Sequence, residues 1–199
     1  MLKLSSLKAI LFGFKHRAPR GLGLIGNDTT LIRPHWITGR ENIYIGARTF
    51  INRWATLNTE DDVFGPDQPA RLTIGDDVYI GPSVWINCVQ EVTIGDDCLL
   101  SEQVYINDGS HGIHPGKGPV RWQPSEIKGP VRIGAHCFLG FRCCILPGVI
   151  LGESCVVGVN AVVTRSFPAY SMLVGSPAKC IKRFSFEADE WIKVVEDEA

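Results

Sequence analysis

Aliphatic residues recur in this chain with a period of six, and that period constrains the fold more than any other feature. They fall at Ile25, Leu31, Ile37; Ile45, Ile51, Leu57; Ile74, Ile80, Ile86; Ile94, Leu100, Ile106; Ile133, Leu139, Ile145; and Leu151, Val157, Val163. All eighteen positions are Ile, Leu or Val, and Gly or Asn follows in thirteen of them. Such residues tolerate left-handed backbone angles, so a tight turn is expected there. Four positions after the aliphatic residue stands something small or β-branched, such as Thr49, Ala55, Val78, Val104 or Ala161. A six-residue spacing is not a multiple of 3.6, and so many interior glycines would undo a helix. One large and one small inward residue per six describes a short strand plus a turn. Three such sides close a triangular coil, and stacked coils bury one continuous aliphatic column. The expected fold class is all-β, a parallel β-helix of about six triangular coils.

The interruptions are ordered too. Beyond strict sixes the chain inserts two residues after Ile37, eleven after Leu57, two after Ile86 and twenty-one after Ile106. Each insertion follows the third side of a coil, so the loops are predicted to leave the prism along one edge. The larger ones span 58–73 and 107–132. Of seven cysteines, Cys98, Cys137, Cys143 and Cys155 occupy the small-residue slot, where free Cys acts as a small hydrophobe. The odd count without a C-x-x-C pair speaks against a disulfide framework or a structural zinc site.

The runs "IGDDVYIGPSVWIN" and "VRIGAHCFLGFRCCILPGVILGESCVVGVNAVVTR" and the tail "SFPAYSMLVGSPAKCIKRF" resemble the hexapeptide-repeat acyltransferases. The likeness is greatest to galactoside and maltose O-acetyltransferases and to sugar O-acetyltransferases of surface-polysaccharide clusters. It covers roughly residues 22–184. It implies a left-handed coil, against the usual right-handed crossover, and a homotrimer with active sites between subunits. It also implies acetyl-CoA as co-substrate, with no metal.

Acetyl transfer from a thioester to a hydroxyl needs a base, donors for the tetrahedral oxyanion, and two substrates held in line. Histidine suits the first task because its ordinary pKa lies near working pH. In the family resembled, the catalytic histidine opens the loop equivalent to 107–132, and "INDGSHG" is similar to that motif. His111 is therefore assigned as general base, with His114 as runner-up. Relatives often carry Asp-His-x-His-Gly, whereas this chain has Asp108-Gly109-Ser110-His111-Gly112. His16 lies in the N-terminal arm, His35 in the first coil and His136 in a turn.

Asp108 and Glu102 are candidates to orient His111, and Asp108, Asn87 and Trp122 are candidates for the acceptor site. Asn87 serves equally as a turn residue. Trp122, beside Arg121, either shelves a sugar ring or anchors the loop. The tail resembles the family's coenzyme A segment: Thr164 and Arg165 match its Thr-Lys/Arg pair, and Lys179 and Lys182 match downstream basic positions. Cations there suit the phosphates of the donor. The turns at Phe141 and Val159 would face its pantetheine, Phe141 standing where relatives have a small residue.

A net charge of −1 gives no electrostatic reason to expect nucleic acid. In residues 1–21, Leu4, Leu7, Ile10, Leu11 and Phe14 fall at helical spacing among lysines. An N-terminal amphipathic helix is expected, capping the domain or touching a membrane surface weakly. No secretory signal is read there, so the expected location is the cytoplasm, or the inner face of the membrane through that helix. A C-terminal helix over 185–199 is expected from Ser185 as N-cap and Trp191, Val194 and Val195 on one face. Three rival functions share features of this sequence. A γ-type carbonic anhydrase needs zinc-binding histidines spread over successive coils, and a non-catalytic scaffold has no need of the long insertion. A xenobiotic O-acetyltransferase differs only in its acceptor.

Overall fold

The computed structural model describes residues 20–194, apart from Pro34 and residues 61–68. Short strands stack into three parallel faces of one prism. The first face holds Leu24–Ile25, Ile43–Ile45, Arg71–Ile74, Glu91–Ile94, Val131–Ile133 and Ile150–Leu151. The second is built on Thr30–Leu31, Phe50–Ile51, Tyr79–Ile80, Leu99–Leu100, Phe138–Leu139 and Val156–Val157. Trp36–Thr38, Thr56–Thr59, Trp85–Cys88, Tyr105–Asn107, Cys144–Ile145 and Val162–Val163 make the third.

The register places like on like. Ile25, Ile45, Ile74, Ile94, Ile133 and Leu151 align in one column, and Ile37, Leu57, Ile86, Ile106, Ile145 and Val163 in another. These columns are the core. Among the described residues the large insertions all leave at the edge between the third and first faces, as their spacing requires.

The turns differ from expectation in an instructive way. The left-handed residue of each tight corner is not the Gly or Asn after the aliphatic position but the residue two places later. At the first edge it is Arg48, Asp77, Asp97, His136 or Ser154, all with φ between 53° and 59°. At the second edge it is Trp54, Ser83, Gln103, Arg142 or Asn160. Glycine is needed instead for close approach between coils. A Cβ on Gly46 would lie 2.5 Å from the Gly75 carbonyl carbon, and one on Gly134 would lie 2.5 Å from the Glu153 nitrogen.

The cysteines fill the core and also bond across it. Cys98, Cys137 and Cys155 stack at the first edge, each thiol directed at a carbonyl of the next coil: Gly134 at 3.1 Å, Gly152 at 3.2 Å and Pro168 at 3.2 Å. Thr49 does the same to the Gly75 carbonyl at 2.8 Å. One slot thus accepts Thr or Cys because both are small and both can donate.

The expected C-terminal helix is not formed at 185–194. Ser171–Gly175 adds to the second face beside Val156–Val157, Ala178–Ser185 turns back antiparallel on it, and Glu190–Lys193 follows. The Ser185 hydroxyl does accept from a backbone amide, Ala188 N–H at 3.2 Å, but it closes a hairpin turn. The open edge of the second face offers this segment a row of unpaired backbone groups. Phe184 then meets Trp191 across the hairpin at 5.6 Å and Phe186 at 5.2 Å. The expected N-terminal helix lies almost wholly outside the described residues.

Leu100 is fully buried between Ile80 and Leu139. Leu100→Ala is expected to cost about 2–5 kcal/mol of stability, read as a lowered midpoint in chemical unfolding. Burial pushes the Cys143 thiol up to about 12 and raises Cys88 as well. Because packing closes the other five thiols to solvent, a thiol reagent is expected to label at most the half-buried Cys144 and Cys180 in the native protein, and those five only after unfolding. Rapid native labelling at Cys98, Cys137 or Cys155 would contradict the packing.

Candidate active site

The outer surface of the third face carries the site. Near the ends of its strands stand Asn58, Asn87 and Asn107, which the parallel register sets one above another. Their amides form a ladder: Asn58 Nδ2 donates to Asn87 Oδ1 at 2.6 Å, and Asn87 Nδ2 reaches Asn107 Oδ1 at 3.5 Å. Thr38 donates into the lower end at Asn58 Oδ1. Beside the ladder, Trp85 and Tyr105 are adjacent in register, and Trp85 is 53% exposed.

After Asn107 the chain leaves the prism. Gly109–His111 pairs antiparallel with Ser125–Ile127, setting His111 opposite Ser125. This hairpin stands over the ladder and encloses a depression of about 470 Å³. Trp85, Tyr105, Asn87 and Asn107 floor it, while Glu60 and the exposed His111 stand at its walls. The twenty-one-residue interruption thus supplies one side of this depression.

The other predicted residues sort differently. Asp108 does not face the depression: it is 0% exposed, and its carboxylate accepts from the backbone N–H groups of Val89, Gln90 and Glu91 at 2.7, 2.9 and 2.6 Å. It can neither touch an acceptor nor orient His111 directly. Glu102 lies at the second edge, where the Ser101 hydroxyl donates to it at 2.7 Å and holds it below the usual carboxylate range. His114 caps the short helical turn Pro115–Lys117, its Nδ1 accepting from Gly116 N–H at 3.0 Å. Trp122 is 73% exposed on the loop, with the Arg121 guanidinium 4.4 Å over its ring, and does not reach the depression. His35 immediately precedes the first strand of the third face, and His136 sits at an edge turn 3.9 Å from Asp97. His16 is outside the described residues.

Sequence reasoning missed Gln123. This buried amide holds the loop together by accepting from His114 N–H at 2.8 Å and donating to the carbonyls of His114 at 2.9 Å and Gly118 at 2.7 Å. It also missed Glu60, Trp85 and Tyr105, whose shared place in the depression depends on register across insertions. The alternation along each third-face strand was the available signal, since outward positions follow once Ile86 and Ile106 are known to point in.

The residues predicted for the donor fall into two groups. Phe141 and Val159 occupy the second edge on successive coils, joined by Asn160 N–H to the Phe141 carbonyl at 2.9 Å. Lys179 pairs with Val174, whose side chain lies against Gly158, so it belongs near Val159. Lys182 is farther along the same hairpin strand. Thr164 and Arg165 follow Val162–Val163 at the third edge, with Arg165 stacked 4.7 Å from the Phe167 ring. Among the described residues no cluster of His, Cys, Asp and Glu has the makings of a metal site.

Comparison with known proteins agrees with the repeat. Residues 130–165 match the model of the hexapeptide repeat of succinyl-transferase. The chain is 33% identical over 171 residues to a probable acetyltransferase of Mycobacterium tuberculosis, covering 79% of this chain and 56% of that protein. It is 36% identical over 128 residues to the putative lipopolysaccharide biosynthesis O-acetyl transferase WbbJ of Escherichia coli K12, covering 61% of this chain and 65% of that protein. It therefore spans between about half and two thirds of the length of these relatives. Among solved structures, the N-acyltransferase AntD of Bacillus cereus, in complex with dTDP and coenzyme A, shares the fold. Its TM-score is 0.70 at 20% identity, covering 93% of this chain and 91% of that one. The hexapeptide-repeat acetyltransferase VCA0836 of Vibrio cholerae, complexed with acetyl coenzyme A, matches with TM-score 0.54 at 25% identity, covering 83% and 73%. The chain is thus a hexapeptide-repeat protein, built on the β-helix of the hexapeptide-repeat acyltransferases.

Proposed function

We propose that this protein is an acetyl-CoA-dependent O-acetyltransferase that modifies a sugar hydroxyl, in the biosynthesis of a surface polysaccharide. The observation that carries this reading is the depression on the third face, with His111 at its wall above a floor of amides and aromatic rings. Aromatic faces suit the apolar side of a sugar ring, and carboxamides such as Asn87 can both donate to and accept from its hydroxyls. The names of the relatives, an O-acetyl transferase of lipopolysaccharide biosynthesis among them, point the same way.

In this reading His111 removes the proton from the attacking hydroxyl as the oxygen closes on the thioester carbonyl. The tetrahedral oxyanion then collapses, expelling the coenzyme A thiolate, and the proton on the imidazole returns to solvent or to the leaving sulfur. No covalent enzyme intermediate and no metal take part. Cations at Arg165, Lys179 and Lys182 would hold the donor's phosphates, with Thr164 beside them and the turns at Phe141 and Val159 along the pantetheine. On one chain Thr164 and Arg165 stand at a different edge from the rest. A homotrimer with left-handed coils, whose sites are completed between subunits, belongs to the same proposal. So does a cytoplasmic location, which seven free cysteines suit, since thiols persist in a reducing compartment.

Calorimetric titration with acetyl-CoA is expected to show saturable binding near one site per chain. An absence of binding at millimolar donor would remove the acyltransferase reading. His111→Asn is expected to leave that binding intact while transfer to a glycoside acceptor falls about 10²–10⁴-fold, the usual contribution of a general base. Near-normal turnover would take the role from His111.

A further inference from the structure

We infer that Asp108 is a positioning residue: its buried carboxylate fastens the root of the His111 hairpin to the coil beneath and so sets where the imidazole stands. The inference rests on the proposed role of His111. Burying an ionisable group is costly unless charge-assisted hydrogen bonds replace its water. Here they come from three consecutive backbone N–H groups, those of Val89, Gln90 and Glu91. Val89 and Gln90 form the two-residue-longer corner between Trp85–Cys88 and Glu91–Ile94, and Glu91 opens the strand after it, one coil before the hairpin. The extra length gives that corner amides to satisfy, and Asp108 supplies the acceptors.

Two further contacts make the junction rigid. Asn107 clasps the next turn of chain in both directions, its Nδ2 donating to the Gly109 carbonyl at 2.6 Å and its Oδ1 accepting from Gly109 N–H at 3.0 Å. Gly109 itself is pressed onto Val89, where a Cβ would come within 2.7 Å of Cγ2. The chain is thus fixed on both sides of Asp108, and His111 follows three residues later on a strand that has left the prism. Displacing a catalytic group by about 1 Å can cost on the order of 10²-fold, so the anchoring of this root bears directly on the rate.

A double-mutant cycle separates positioning from general support. Turnover of acetyl-CoA is followed with a simple methyl glycoside, or as slow hydrolysis where no glycoside is accepted, in Asp108→Ala, His111→Asn and the double variant. Asp108→Ala is expected to lower kcat at least tenfold with the KM for acetyl-CoA unchanged, and to add nothing, within about twofold, once His111 is replaced. Equal losses in both backgrounds, or no loss in the first, would overturn the inference. If His111→Asn is itself unimpaired, the role of His111 falls instead, and calorimetry with acetyl-CoA shows whether the donor reading survives. Hydrogen exchange gives a reading independent of turnover. Amides of 89–91 and 109–111 should exchange faster in Asp108→Ala while the coils keep their protection, and unchanged exchange there would equally overturn the inference. Should the alanine variant fail to fold, Asp108→Asn retains the shape and one acceptor oxygen. It is then expected to show the same pattern with a smaller loss.

Discussion

The structure depends on stacking like residues in parallel register. Each coil places one aliphatic side chain per face directly on its counterpart in the next coil, as Ile86 on Ile106. Backbone bonds such as Gly46 N–H to the Ile74 carbonyl at 2.8 Å hold the same spacing on the outside. A coil alone cannot bury its aliphatic residues, so each is stable only between neighbours. The demand for close stacking then selects glycine at the corners, where a Cβ would strike the next coil, and a small residue at the first edge: Val78 fills one slot, and Thr49, Cys98, Cys137 and Cys155 also direct a donor at a carbonyl.

The same constraint decides where function can reside. Among the described residues, two edges are closed by tight turns that repeat one left-handed residue from coil to coil. The third edge shows no such repeated turn among them, so added residues collect there without disturbing the columns. A filled prism offers ligands only flat faces. The hairpin 109–127 converts one of those faces into a depression, bringing His111 over outward residues that the stacking had already aligned.

Rigidity in that hairpin comes from buried polar groups rather than from apolar packing. Asp108 ties its root to the preceding coil, and the Gln123 amide ties its outer part to the chain around His114. Both side chains are hydrogen-bonded to backbone, so they specify shape without depending on the identity of the residues they hold. The exposed parts of the loop, Trp122 among them, lie beyond these ties.

The spacing of Ile, Leu and Val determined by itself the coils, the three faces, the edge from which the loops depart and the buried place of four cysteines. It could do so because each coil repeats one local rule and neighbours meet at a fixed offset. His111 was singled out by the likeness of "INDGSHG" to a family motif rather than by the spacing, and the fold sets it in the lining of the depression. Tertiary structure alone decided the rest. Asp108 reads as a site carboxylate until the chain is folded, because its partners are backbone amides 17 to 19 positions earlier and every residue but proline carries one. Trp85, Tyr105 and Glu60 come together only through register across insertions of unequal length. The residues after Ser185 have the pattern of a helix, but the open edge of the second face gave their backbone a sheet to join, and that tertiary hydrogen bonding outweighed the local preference.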